Sequence, residues 1–260
     1  MADYEALLAD LEAEEAALDG VVAELDSEAW RTPTPAIGWD VRDTIAHLAV
    51  AEELATTALT DAEAFAARLA ELVEDIAATE AALTQRGRAM SGAAVLTWWR
   101  TARTETVDVL RQRGPRERVP WIAGPMSAMS FATSRLMETW AHGHDIAEGL
   151  AIPMVPTVRL KHVAELGVRT RGFAFAARGM PEPKRDVRVE LDAPDGATWT
   201  WGTSEVDLVR GPARDFCLVV TQRRHPLDTA LEVTGEAAQS WIAIAQAFAG
   251  PPTEQRPPST

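Results

Sequence analysis

Leu136-Met137-Glu138-Thr139-Trp140-Ala141-His142-Gly143-His144-Asp145 is the stretch on which the reading of this chain turns. Glu138 and His142 are four residues apart, and residues i and i+4 share one face of a helix. A carboxylate beside an imidazole is two-thirds of an open metal site, because both are ordinary ligands of zinc and other divalent first-row metals. The third ligand has to come from another helix. His47, in Trp39-Asp-Val-Arg-Asp-Thr-Ile-Ala-His-Leu48, is the leading candidate. Two histidines and one glutamate leave coordination positions free for water, a thiol or substrate. The spacing alone is a weak signal, since an exposed Glu/His pair worth about 0.2–0.5 kcal/mol has the same pattern.

The helix carrying the pair is expected from about Met126 to Glu148, with Gly149 as its stop. Working outward, Leu7, Leu11, Leu18, Val22 and Leu25 recur at helical spacing in a first helix, which Pro33 and Pro35 end. Asp40 can cap a second helix, with Asp43 as a capping-box variant. Val41, Ile45 and Leu48 form its inner stripe, and Asp43, His47 and Ala51 the neighbouring one. A third pattern spans about Asp61 to Gln85, with Phe65, Leu69, Leu72, Ile76 and Leu83. Ser91 caps a fourth, with Trp98, Trp99, Val107 and Leu110, ending at Gly114. Pro115 to Pro125 reads as a loop. Such helices make a bundle, and bundles build metal sites from inward side chains on facing helices.

Ala151 to Pro156 holds two prolines and reads as a boundary. A helix is expected over Val158 to Ala177. Then Val187, Val189 and Leu191 alternate with polar residues, Pro194-Asp195-Gly196 turns, and Ala197 to Trp201 alternates again, which is a hairpin pattern. Helical patterns return at Pro212 to Gln222 and Glu236 to Phe248. The expected fold class is therefore α plus α+β. Residues 1–150 form an up-and-down helical bundle free of strands, 157–250 a small α+β domain, and 251–260 a disordered Pro-rich tail.

The balance of composition narrows the function. A net charge of -14 on 260 residues argues against a nucleic-acid groove. Only Lys161 and Lys184 are lysines, so the basic set is nearly all arginine, the bias of a GC-rich bacterial genome. The single cysteine, Cys217, sits in the apolar run Phe216-Cys-Leu-Val-Val220 and reads as a core residue in a reducing cytoplasm. Its start, Met-Ala-Asp-Tyr-Glu, is acidic and unlike a signal peptide. No apolar run approaches the roughly 20 residues that span a bilayer. The expected setting is the cytoplasm, with a small-molecule substrate, no nucleic acid or membrane partner, and room for a homodimer.

Around the candidate ligands, Asp145 follows His142 by three and reads either as a residue that orients a ligand or meets substrate, or as a helix-end aspartate. His144 lies about 200° around the helix from His142 and faces elsewhere. Trp39, Trp98, Trp99, Trp121 and Trp140 offer pocket walls, with one or two expected at the site. Arg42, Arg100 and Arg103 can hold a carboxylate-bearing substrate, or are solvated. His162 reads as surface, and the basic turn Arg223-Arg-His225-Pro226 either meets an anionic ligand or is simply solvated.

Two pieces carry a family resemblance: Gly38-Trp39-Asp40-Val41-Arg42-Asp43 leading to His47-Leu48, and Glu138-Thr-Trp140-Ala-His142 followed by Asp145. They resemble the DinB-like metalloproteins and, within them, the mycothiol-dependent maleylpyruvate isomerase group. The resemblance covers roughly residues 1–150 and the two-domain plan. The C-terminal part resembles the small sterol-carrier-like domains appended to this family. The resemblance implies a divalent metal, zinc foremost, on a histidine of the second helix and a Glu-x-x-x-His pair of the last. Those roles fall on His47, Glu138 and His142. It also implies mycothiol as a thiol cosubstrate, and so a metal-dependent thiol transferase or isomerase acting on an electrophilic small molecule. Two other readings stay open: a thiol-independent metal hydrolase, lyase or cyclase, and a metal- or ligand-binding protein without turnover.

Overall fold

A computed structural model describes residues 2–74, 82, 84–250, 252–253 and 256–258. The part of the third helical pattern holding Ile76 and Leu83, and half of the tail at 251–260, lie outside the described residues. The chain divides into two compact units, Met1–Met154 and Val155–Thr260.

The first unit is helical because its apolar residues recur with the period of a helix and its ends carry caps. Helix α1 (Ala2–Val22) buries Leu7, Leu8, Leu11, Leu18 and Val22. Helix α2 (Val41–Thr60) opens on a full capping box: Asp40 accepts the Asp43 N–H at 2.8 Å, and Asp43 accepts the Asp40 N–H at 3.2 Å. Val41, Ile45 and Leu48 are fully buried. Helix α3 (Ala62–Glu74) follows, and residues 84–88 are again helical. Helix α4 (Gly92–Arg111) is capped by Ser91, which accepts the Ala94 N–H at 3.2 Å. Helix α5 (Ala128–Gly149) is capped by Ser127. The broadest pairings are α2 on α4 and α1 on α5, with α2 also on α5. Where α4 begins, the Trp30 ring sits against Gly92, and a β-carbon there would lie 2.3 Å from the indole.

One expectation for this unit is corrected. It is not strand-free: β1 (Arg118–Val119) and β2 (Met126–Ser127) pair antiparallel between α4 and α5. Two residues a side are too few to show alternation. The ladder closes a loop that lodges Trp121 in the bundle, stacked 5.8 Å from Phe65 and edge-on 4.9 Å from Phe131. The helix ends at Gly149 as expected, and the bare Cα there accommodates the Pro33 carbonyl, which a β-carbon would meet at 2.6 Å. The reversal falls at Ala151, with φ 54°.

In the second unit, α6 (Leu160–Arg169) and α7 (Arg171–Ala177) replace the single helix expected over 158–177. The break is at Thr170, whose hydroxyl donates back to the Leu166 and Gly167 carbonyls. Strands β3 (Arg188–Asp192) and β4 (Thr198–Trp201) form the expected hairpin. β5 (Leu208–Pro212) lies parallel to β3, and β6 (Glu232–Thr234) antiparallel to β5, giving the order β4-β3-β5-β6. Helix α8 (Ala213–Val220) joins β5 to β6 and buries Phe216, Cys217 and Val220. The last helix, α9 (Glu236–Ile242), stops short of the expected Phe248. The fold is α plus α+β. Among the described residues no helix is long and apolar enough to cross a membrane.

Candidate metal centre

The site grows from one stripe of α5. Arg135, Glu138, His142 and Asp145 succeed one another by three, four and three residues, so all four point from the same side of the helix. His47 meets them from α2. Its Nε2 is 3.9 Å from Glu138 Oε2, and His142 Nε2 is 3.4 Å from the same oxygen. Ligand atoms of His47, Glu138 and His142 all lie within 4.8 Å of one another, the one such group of three or more among the described residues. Tetrahedral ligands at about 2.0–2.2 Å from a zinc ion stand about 3.3–3.6 Å apart. The donor set and its spacing therefore suit a divalent metal with a small contraction on the His47 side.

Neighbouring groups set the state of each donor. Burial alone would raise the Glu138 carboxyl. The adjoining imidazoles of His142 and His47 and the Arg135 charge outweigh it and hold the group well below its ordinary range. Glu138 is thus an anion at neutral pH. Burial pushes His47 below its ordinary value, against the pull of Glu138, so its imidazole is neutral there. Behind the site, Asp145 is 2 % exposed and its Oδ2 is 3.3 Å from His142 Nδ1. A carboxylate there favours the proton on Nδ1 and leaves Nε2 to face Glu138. The exposure of the side chains grades from 11% at His142 through 19% at Glu138 to 38% at His47, so the open side of the cluster is at His47.

One aromatic joins the site. The Trp39 ring lies 5.0 Å from the His47 ring and 6.1 Å from the His142 ring, stacked on the latter. Trp140 instead turns to His144, 5.9 Å away, and His144 Nδ1 lies 3.8 Å from Glu148. Trp98 donates to Glu53 and lies under Arg86. Arg42 donates to the Arg88 and Met90 carbonyls and stands 3.5 Å from Asp40, which ties α2 to the next segment. Arg100 and Arg103 both pair with Asp19 and staple α4 to α1.

Sequence reasoning missed a buried charge cluster. Glu15, Glu52 and Arg135 are 3%, 1% and 3% exposed. Glu15 Oε1, Glu52 Oε2 and Arg135 Nε and Nη1 have no hydrogen-bond partner among the described residues. Burial pushes Glu15 well above its ordinary range, with the Glu52 charge adding, and burial raises Glu52 despite Arg135. The signal was present: Glu52 falls on the inner stripe Ile45, Leu48, Ala55, Leu59, and Glu15 falls between Leu11 and Leu18. The Arg135 guanidinium sits 4.9 Å from the Trp121 ring centre.

Residues 11–147 match the family model described as mycothiol maleylpyruvate isomerase N-terminal domain. The chain belongs to this family. Its DinB-like, maleylpyruvate isomerase-like character rests on that match, which spans α2, α4 and nearly all of α5. Two uncharacterized Mycobacterium tuberculosis proteins, MT0041 and Rv0036c, are each 44% identical over 264 residues, covering 98% of this chain and all of theirs. The crystal structure of the mycothiol-dependent maleylpyruvate isomerase superposes with a TM-score of 0.58 at 16% identity, over 85% of this chain and 89% of that one. A histidine mutant of the same enzyme matches equally. At that identity the likeness is one of fold.

Proposed function

We propose that this member of the mycothiol maleylpyruvate isomerase family is a cytoplasmic, metal-dependent enzyme. It uses a thiol, mycothiol foremost, to transfer to or isomerise an electrophilic small molecule. The observation that carries the reading is the convergence of His47, Glu138 and His142, two imidazoles and one carboxylate, with an open side at His47. Three protein ligands with room for another is the pattern of a catalytic rather than a structural site. Zinc suits the set.

A divalent metal held there supplies Lewis acidity, favouring the ionised form of a thiol or water. The chain's own residues prepare for it. Burial keeps the His47 lone pair free of a proton at neutral pH. Asp145 accepts from the Nδ1–H of His142 and fixes the ring's orientation. Trp39 lies against the two imidazoles on one side. Arg135, buried below, keeps Glu138 ionised.

The test is spectroscopic and needs no substrate. Cobalt-substituted protein is titrated with mycothiol and with cysteine while the near-ultraviolet absorption is followed. A sulfur-to-cobalt charge-transfer band that saturates supports a thiol in the metal's shell. Cobalt d–d bands that no thiol perturbs would move the assignment to a thiol-independent hydrolase, lyase or cyclase.

A further inference from the structure

The second unit contains a concavity of about 750 Å³, within the roughly 300–1,000 Å³ typical of small-ligand sites. Its apolar wall includes Leu231, Val233, Ile242 and Ile244, contributed by β6, α9 and their flanking turns. Arg178 and His225 also line it, and among the described residues none of its lining is acidic. That composition is unusual for a chain with 39 acidic against 25 basic residues. The basic turn at His225 is thus half-buried at a pocket rather than simply solvated.

Both polar groups are preset. Arg178, at the end of α7, donates to three oxygens: the Ala174 carbonyl and Gln246 Oε1, each at 3.4 Å, and the Thr253 carbonyl at 2.6 Å. All three are neutral, so they orient the guanidinium without cancelling its charge. No carboxylate among the described residues pairs with it. His225 Nδ1 accepts the Leu227 N–H at 3.1 Å, which places the ring proton on Nε2 as a donor. A fixed cation and a fixed N–H beside an aliphatic wall match an anionic acceptor on an apolar body.

We propose that this pocket binds a small carboxylate with an apolar body, separately from the metal centre. The acid's oxygens meet Arg178 and His225, and its hydrocarbon lies along Val233, Ile242 and Ile244. An aliphatic acyl chain and an aromatic ring system are two sources of the same chemistry. The full-length protein is titrated calorimetrically with octanoate, with 2-naphthoate, and with the uncharged amide of each. The expected result is saturable binding of at least one acid, one per chain, with its amide weaker by at least about tenfold. Which acid binds tells the two sources apart. R178Q should weaken the acid by about tenfold or more and leave the amide unchanged. H225Q should weaken it several-fold, and I244E, which sets a carboxylate in the wall, should abolish it. Circular dichroism checks each variant's fold; if R178Q unfolds, the other two decide. The proposal is overturned if neither acid saturates by about 10 mM, near the weakest specific affinities. Equal binding of acid and amide, or wild-type affinity in the folded variants, also overturns it.

Discussion

Asp145 is the residue whose replacement says most about how the centre is held. It sits on the third turn of the Arg135–Glu138–His142–Asp145 stripe, 2 % exposed, with Oδ2 3.3 Å from His142 Nδ1. Solvent has little access to stand in for a lost oxygen there. Partners of this kind behind a metal ligand are worth about 10–100-fold in metal affinity, or about 1.4–2.7 kcal/mol. The two substitutions should divide that range. Asp145→Asn keeps the shape and one acceptor oxygen but loses the charge, so it should weaken zinc binding by about tenfold. Asp145→Ala also loses the acceptor and frees the His142 ring to rotate, so it should cost about a hundredfold. Competition against a chelating dye measures both, with circular dichroism confirming that α5 is intact. If both variants bind zinc within about twofold of wild type, Asp145 does not orient the ligand and the account of the Nε2 donor is wrong.

His47 should take up its proton only below pH 6.5, because it titrates below that ordinary value; an NMR titration of the metal-free protein that shows the His47 ring protonating between pH 8 and 7 would contradict this. Glu52→Gln should stabilise the fold, and more so at pH 8 than at pH 4. The folded-state pKa of Glu52 is raised, so wild type loses stability as pH climbs from the unfolded value through the folded one, and the amide escapes that loss. Equal shifts in Tm at the two pH values would refute it. Gly92→Ala should destabilise by about 1–3 kcal/mol, because the new methyl meets the Trp30 ring at the start of α4; an unchanged urea midpoint would show that the indole moves aside freely.

The bundle was legible because its signals are local. The Asp40 capping box, the Ser91 cap and the stripe of Val41, Ile45 and Leu48 need nothing from distant sequence. The β3–β4 hairpin was legible for the same reason, with Asp195-Gly196 between alternating runs. What escaped depends on distant contacts. β5 and β6 are short and have one clearly inward residue between them, Val209, so their pairing rests on β3 rather than on their own pattern. The β1–β2 ladder exists to seat Trp121 against Phe65 and Phe131. At the site, Glu138 and His142 come from one helix and their approach is written in the spacing. The meeting with His47 needs the packing of α2 on α5. Trp39 lies just before α2 in a turn, so no periodicity marks which way its ring points. Arg42 had the same sequence standing as a substrate contact, and the carbonyls of Arg88 and Met90 take it instead.

The central claim is that His47, Glu138 and His142 hold one metal ion between them. Metal content of the purified protein, set beside His142→Ala and His47→Ala, tests it most directly. The account predicts one divalent ion per chain in wild type, and none retained by either variant after dialysis. The helical circular-dichroism signal should be unchanged, because the apolar stripes rather than the metal hold the bundle. A folded His142→Ala protein that keeps a full equivalent of metal would contradict the claim, and so would wild-type protein that binds none when zinc is supplied.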